Sequence, residues 1–182
     1  MAKSLVKYAV ILAGFSILTV SFSGCINKTY TPKLYPVKPG MIPPMSIHQS
    51  INVVNAQTNQ NYKIIFNGRE VQEANLREVT EVAIRILTDE LRKKGAVIDP
   101  DASKILKLSI SKIQYLPTGW GSNCLVQLNV ETGEGYYYDI ARNNVGYSAG
   151  GGPSGASCDF AVTRTVVGIF ENNRFMEYLN SP

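Results

Sequence analysis

Between Lys104 and Leu116 apolar and polar residues alternate, with Leu106, Leu108 and Ile110 on one side and Lys107, Ser109 and Ser111 on the other. That period of two predicts a strand with one buried face. Lys112-Ile113 breaks the phase, as a bulge or bend does. A turn at Pro117-Thr118-Gly119 leads to a second alternating run, in which Cys124, Val126, Leu128 and Val130 point inward. Thr132-Gly133-Glu134-Gly135 then turns the chain into a third strand, Tyr136 to Tyr147, carrying Tyr136, Tyr138 and Ile140 on one face. Three strands joined by short turns form an antiparallel meander.

The period changes to three-to-four between Ala74 and Lys94, where Leu76, Val79, Ala83, Ile86, Leu87 and Leu91 make one stripe. Such a stripe predicts an amphipathic helix packed on a sheet. Arg92, Lys93, Lys94 and then Gly95 mark its end. Val162, Val166, Ile169, Phe170 and Met176 outline a second helix from Asp159 to about Leu179. Two shorter strands, Ile47 to Ala56 and Tyr62 to Phe66 before an Asn67-Gly68 turn signal, precede the first helix. The order predicts an α+β fold, a mostly antiparallel sheet of about four to five strands with two helices packed on one face.

The N-terminus follows a different logic. Lys3 and Lys7 are followed by an apolar stretch from Tyr8 to Val20 and then Ser21-Phe22-Ser23-Gly24-Cys25. Charge, apolar core and small residues, in that order, make an export signal. The run breaks before the roughly 20 apolar residues that a membrane span needs. Residues 1–24 are thus expected to be removed, leaving one domain at 47–182 behind a segment, 25–46, with five prolines. That segment reads as an extended tether, at about 3.1 Å per residue where polyproline-like. The alternative is that Tyr30, Leu34 and Tyr35 lie along the domain edge.

Two of the 18 basic residues leave with the signal, which brings the balance close to the 14 acidic ones. No clustered basic face suggests nucleic-acid binding. With Cys25 set aside, Cys124 and Cys158 remain, an even pair in a compartment where disulfides persist. A bridge would close a loop of roughly 35 residues; two separately buried thiols are the other possibility.

Candidate chemistry is sparse. Gly146-Tyr147-Ser148-Ala149-Gly150 fits the Gly-x-Ser-x-Gly nucleophile elbow, but the glycines after Ser148 cannot start the required helix, and the single histidine, His48, lies upstream. Gly150 to Ser157 reads as a flexible glycine-rich loop, without the Lys-Ser/Thr ending of a phosphate cradle. His48 has no ligand neighbours at metal-binding spacing. No catalytic residue, metal ligand or cofactor site is expected. The tyrosines are the better surface candidates: Tyr137 must face away from Tyr136 and Tyr138, which makes Tyr137, Tyr147 and Trp120 candidate partner-binding residues.

Phe22-Ser23-Gly24-Cys25 resembles the lipobox of bacterial lipoproteins, with Phe22 where Leu is usual. The resemblance implies cleavage between Gly24 and Cys25 and a diacylglyceryl group, with an N-acyl chain, on Cys25. The further order of strand, helix, meander and helix resembles the small YajG-like and lipopolysaccharide-assembly (LptE-like) outer-membrane lipoproteins. That resemblance implies a non-enzymatic module, anchored to a membrane by its lipid and docking an envelope protein. Ile26 in place of an aspartate suggests an outer-membrane address facing the periplasm, the cell surface being the alternative. A small-ligand or lipid carrier is the second expectation, and a hydrolase using Ser148 the third.

Overall fold

The computed structural model describes residues 27–67, 71–118, 121–146 and 155–181. Gly24, Cys25, Trp120, Tyr147, Ser148 and most of the glycine-rich loop lie outside them. In chain order the elements are β1 (Asn27–Tyr30), β2 (Ser50–Asn55), β3 (Tyr62–Asn67), β4 (Val71–Asn75), α1 (Leu76–Lys93), β5 (Val97–Ile98), β6 (Lys104–Thr118), β7 (Gly121–Thr132), β8 (Tyr137–Gly146), α2 (Gly155–Ile169) and α3 (Asn173–Asn180). The fold is α+β. A five-stranded sheet has the order β5-β2-β6-β7-β8, and a three-stranded sheet the order β1-β4-β3.

The meander forms as its alternation predicts. β6 pairs antiparallel with β7, and β7 with β8. Leu106, Leu108, Ile110, Cys124, Val126, Leu128, Val130 and Ile140 are buried along one face. The register of β6 shifts between Ile110 and Lys112, where the hydrophobic phase breaks. β2 runs parallel to β6 and ends opposite Leu108, so the next inward-facing peptide group, that of Ile110, needs other partners. The Thr80 hydroxyl on α1 accepts from the Ile110 N–H at 3.0 Å, and the Gln57 amide donates to the Ile110 carbonyl at 2.6 Å. Thr80→Val, near-isosteric and fully buried, is expected to cost about 1–3 kcal/mol by leaving that N–H unpaired. Urea titration would read it as a lower midpoint at unchanged slope.

α1 lays Val79, Ala83, Ile86, Leu87 and Leu91 on the sheet. Its N-cap is Asn75, whose side chain accepts from the N–H groups of Arg77 and Glu78. At the other end the Ala96 N–H donates to the Leu91 carbonyl at 3.0 Å, with Gly95 at φ +97°. Only glycine adopts that conformation cheaply.

Four features depart from expectation. The second helix is two: the chain turns after Ile169, and the Asn172 side chain caps α3 by accepting from the Phe175 N–H at 3.2 Å. α2 also begins earlier than expected, at Gly155, so Ser157 is a buried helical residue rather than part of a loop. Tyr136 precedes β8 and is exposed, leaving Tyr138 and Ile140 on the inner face. Residues 31–46 form no helix or strand, as their prolines dictate, but they do not stand off as a tether. The Tyr30 hydroxyl and the Lys33 N–H both donate to the buried Asp159 carboxylate, at 2.6 and 2.9 Å. Thr163 donates to the Tyr35 carbonyl, and the Tyr35 ring meets Phe160 edge-on at 4.9 Å. Ile42 and Ile47 are core residues. α2, apolar nearly all round, is thereby covered on its second side.

Cys124 on β7 and Cys158 on α2 are both fully buried and joined by a disulfide, with Cα atoms 5.1 Å apart. It fastens α2 to the sheet. No helix among the described residues is long and apolar enough to cross a membrane.

Candidate partner-binding groove

The β7–β8 turn is held by local hydrogen bonds. The Thr132 N–H donates to the Tyr136 carbonyl at 2.9 Å, the Tyr136 N–H donates to the Thr132 hydroxyl at 3.1 Å, and the Gly135 N–H donates to the Thr132 carbonyl at 3.0 Å. Gly135 sits at φ +85°. The Gly133 N–H donates to the Ile105 carbonyl, tying the turn to β6. The turn ends on two tyrosines, Tyr136 and Tyr137, each 60% exposed. Burying a tyrosine normally gains free energy, so an adjacent pair left in water is a feature to be explained.

α3 builds the opposite wall. Phe175, Tyr178 and Leu179 are buried, and Phe175 meets Tyr138 edge-on with ring centroids 5.7 Å apart. The other side of α3 presents Arg174 and Glu177 to solvent. Lys104 of β6 holds the end of α3: its ammonium donates to the carbonyls of Tyr178 and Ser181 and lies 5.3 Å from the centre of the Tyr178 ring. Cations at helix C-termini are stabilising. Burial pulls the Lys104 pKa below the ordinary lysine value, opposed by the charge of Glu134.

Between turn and helix lies an open groove of about 620 Å³ whose walls include Tyr136, Tyr137, Tyr138 and Tyr178. Its charged groups are Glu134, Asp139 and Glu177 against Arg174. Burial, followed by the charge of Asp139, raises the Tyr137 pKa; burial is also the leading cause for Tyr138 and Tyr178. The phenols therefore stay protonated at neutral pH; that of Tyr178 donates to the Ile105 carbonyl at 3.3 Å, and those of Tyr137 and Tyr138 can donate into the groove. The groove offers aromatic faces, hydroxyl donors and a carboxylate excess, a set suited to binding.

Tyr137 is at the groove, as sequence reasoning placed it on the surface. Tyr115 is buried elsewhere against Phe66. Trp120 and Tyr147 fall outside the described residues, as does Ser148. His48 is exposed near the end of α1. Among the described residues no group of three or more His, Cys, Asp or Glu side chains could hold a metal ion. The contributions of Tyr178, Arg174 and Glu177 were missed because the continuous helix hid the corner at Asn172.

A second groove of about 540 Å³ lies between β3 and β6, lined by apolar groups such as Ile64, Phe66 and Ile113.

No protein-family model and no curated protein matches the chain. Among solved structures, a Xanthomonas campestris protein described by the DUF330 family model aligns over 79% of this chain and 91% of its own, at 11% identity and a TM-score of 0.41. A PelC dodecamer from Paraburkholderia phytofirmans aligns over 76% of this chain and 92% of its own, at 14% identity and a TM-score of 0.36.

Proposed function

We propose that the chain is exported, cleaved after Gly24, lipidated on Cys25, and acts in the cell envelope as a non-enzymatic assembly subunit that docks a protein partner at the tyrosine-lined groove. One observation carries the docking site: two tyrosines, each 60% exposed, held by a hydrogen-bonded turn at the mouth of a groove. Tyrosines presented on a hydrogen-bonded turn offer large contact area with few rotatable bonds, which suits interface centres. The lipobox-like Phe22-Ser23-Gly24-Cys25 supports the anchor, since a multiply acylated cysteine would hold the domain at a bilayer. Ile26 supports an outer-membrane address facing the periplasm.

Crosslinking of the full-length protein in cells, followed by purification and mass spectrometry, tests this reading. A defined envelope complex is expected, with crosslinks at Tyr136 and Tyr137. Cys25→Ala is expected to abolish labelling by radioactive palmitate and to move the protein from the membrane to the soluble fraction. Recovery of the protein without a partner would count against the subunit reading, and an unchanged membrane fraction for Cys25→Ala would remove the anchor. A second reading, a carrier of a small apolar ligand, has support in the groove beside Ile64 and Phe66; lipid co-purifying in the same experiment would favour it.

A further inference from the structure

β8 is the outer strand of the five-stranded sheet among the described residues. Two hydrogen bonds fix which of its peptide groups face outward. The Thr132 N–H donates across the turn to the Tyr136 carbonyl, so residues whose numbers match that pair, 130 with 138 and 128 with 140, exchange hydrogen bonds between β7 and β8. On the other side of β7 the Gly133 N–H donates to the Ile105 carbonyl, which sets 131 and 129 toward β6 and agrees with the same phase. Tyr138 and Ile140 therefore spend their backbone groups on β7. Tyr137, Asp139 and Ala141 turn theirs outward, three donors and three acceptors in a row, the Ala141 carbonyl also accepting from Arg142 Nη1 at 3.3 Å.

Proteins normally blunt such an edge by shortening it, bulging it, or placing Lys or Pro on it. The other outer strands here follow that rule. β5 has two residues, β1 has four including Lys28, and β3 carries Lys63 and a register shift between Ile64 and Phe66. β8 is the longest and most regular of them: ten residues without Lys or Pro, in unbroken register with β7 from Tyr137 to Gly146, with Asp139 and Arg142 as its charged residues. α2 does not cover the edge, because it packs on the core face; a Cβ on Gly168 would come within 3.1 Å of Ile140 and Arg142 there. The edge opens beside the groove, which Asp139 lines.

Charge selects the kind of segment that fits. Arg142 is engaged by Glu171 at 2.6 Å and neutralised. What remains beside the edge is Glu134, Asp139 and Glu177 against Arg174 and, behind the Tyr178 ring, Lys104, with tyrosine rings between them. Carboxylates attract Lys or Arg, and the aromatic faces accept either cation or its aliphatic stem.

We propose that the outer edge of β8 receives an extended polypeptide segment as an added strand, its Lys or Arg side chains lying in the tyrosine groove. The inference rests on the partner-docking reading and specifies its mode: main-chain hydrogen bonds supply affinity, and alternate basic side chains supply specificity.

The test uses the full chain and a fluorescent peptide of alternating lysine and valine. Controls are the same peptide N-methylated at alternate residues, which keeps the charge and removes strand pairing, and a glutamate–valine counterpart. The lysine peptide is expected to bind, with each control at least about tenfold weaker. On binding, hydrogen exchange is expected to slow at the amides of Tyr137, Asp139 and Ala141, while Tyr138 and Ile140 are protected already. Ala141→Pro removes an outward N–H, a substitution that edge strands tolerate, and should weaken binding at least about tenfold. Glu177→Lys should weaken it by about fivefold at low salt.

Binding indifferent to N-methylation, or protection absent at Tyr137, Asp139 and Ala141, would reduce the edge to a charged patch and overturn strand addition, even should Ala141→Pro fail to fold. Failure of the lysine peptide to bind overturns it too, and so does displacement of the peptide by cellohexaose, which would mark a sugar site. An envelope complex recovered from cells but insensitive to Ala141→Pro would defeat strand addition while leaving the subunit reading intact. Peptide addition without any complex in cells would do the reverse.

Discussion

Replacing Cys124 and Cys158 together by alanine is expected to lower the stability of the domain by about 3–4 kcal/mol, the chain-entropy value for a loop of this length. The two positions are 34 residues apart and joined directly. Without the bond the unfolded chain regains the freedom of the whole β7–β8–α2 stretch, while the native contacts lose little. Alanine is the right replacement, since both sites are fully buried and serine would bury an unpaired hydroxyl. For a domain of this size each kcal/mol moves the midpoint by roughly 2–4 °C, so the variant should melt about 6–16 °C lower. A reductant should shift the wild type by a similar amount and leave the variant unmoved. If the variant melts with the wild type, the bridge is not what holds α2 to the sheet.

How far the sequence reveals this fold depends on where each element finds its partners. β6, β7 and α1 bury one face on a single core, so their periods of two and three-to-four are written in consecutive residues. β4 is different: of Val71-Gln72-Glu73-Ala74-Asn75 only Ala74 is buried, and the strand exists because β1 and β3 pair with its two edges. No local pattern announces a strand held by main-chain bonds to distant segments. The docked segment 27–46 announces itself only as an alternative, through Tyr30 and Tyr35. Its anchors Tyr30, Tyr35 and Ile42 are spaced irregularly among prolines, and its partner Asp159 lies more than a hundred residues away. The corner between α2 and α3 had a signal in Glu171-Asn172-Asn173, since asparagine caps helices readily. That signal was masked by apolar residues which continue in helical spacing from Ile169 to Met176. The groove was half legible for the same reason: the tyrosines stand together in sequence, whereas the α3 wall depends on that corner.

The strongest dependence on solution conditions is expected at alkaline pH. Tyr30 and Tyr115 are nearly inaccessible. Burial, the hydrogen bond to Asp159 and its negative charge together push the Tyr30 pKa far above the usual phenol value. Burial and then the charge of Asp159 raise Tyr115 as well, with the neighbouring Ser157 opposing. Both folded-state values lie above the unfolded value of about 10, so the stability linked to them is fully present below pH 10 and drains away as the pH rises past it. In that range the unfolded state releases protons that the folded state keeps. Each group then costs up to about 1.4 kcal/mol per pH unit once the unfolded phenol is ionised, so the pair should remove about 2 kcal/mol between about pH 10 and about pH 11 and more as the pH climbs further. Urea midpoints across this range should fall with that slope, while tyrosinate absorbance from the two residues appears only with unfolding. Tyr30→Phe separates the causes. It should cost about 1–3 kcal/mol at neutral pH, because Asp159 keeps the Lys33 N–H but loses the phenol, and it should halve the alkaline slope. A variant as steep as the wild type would mean that other groups govern alkaline unfolding. A halved slope would identify the Tyr30–Asp159 contact as the latch that holds the segment leading from Cys25 against α2.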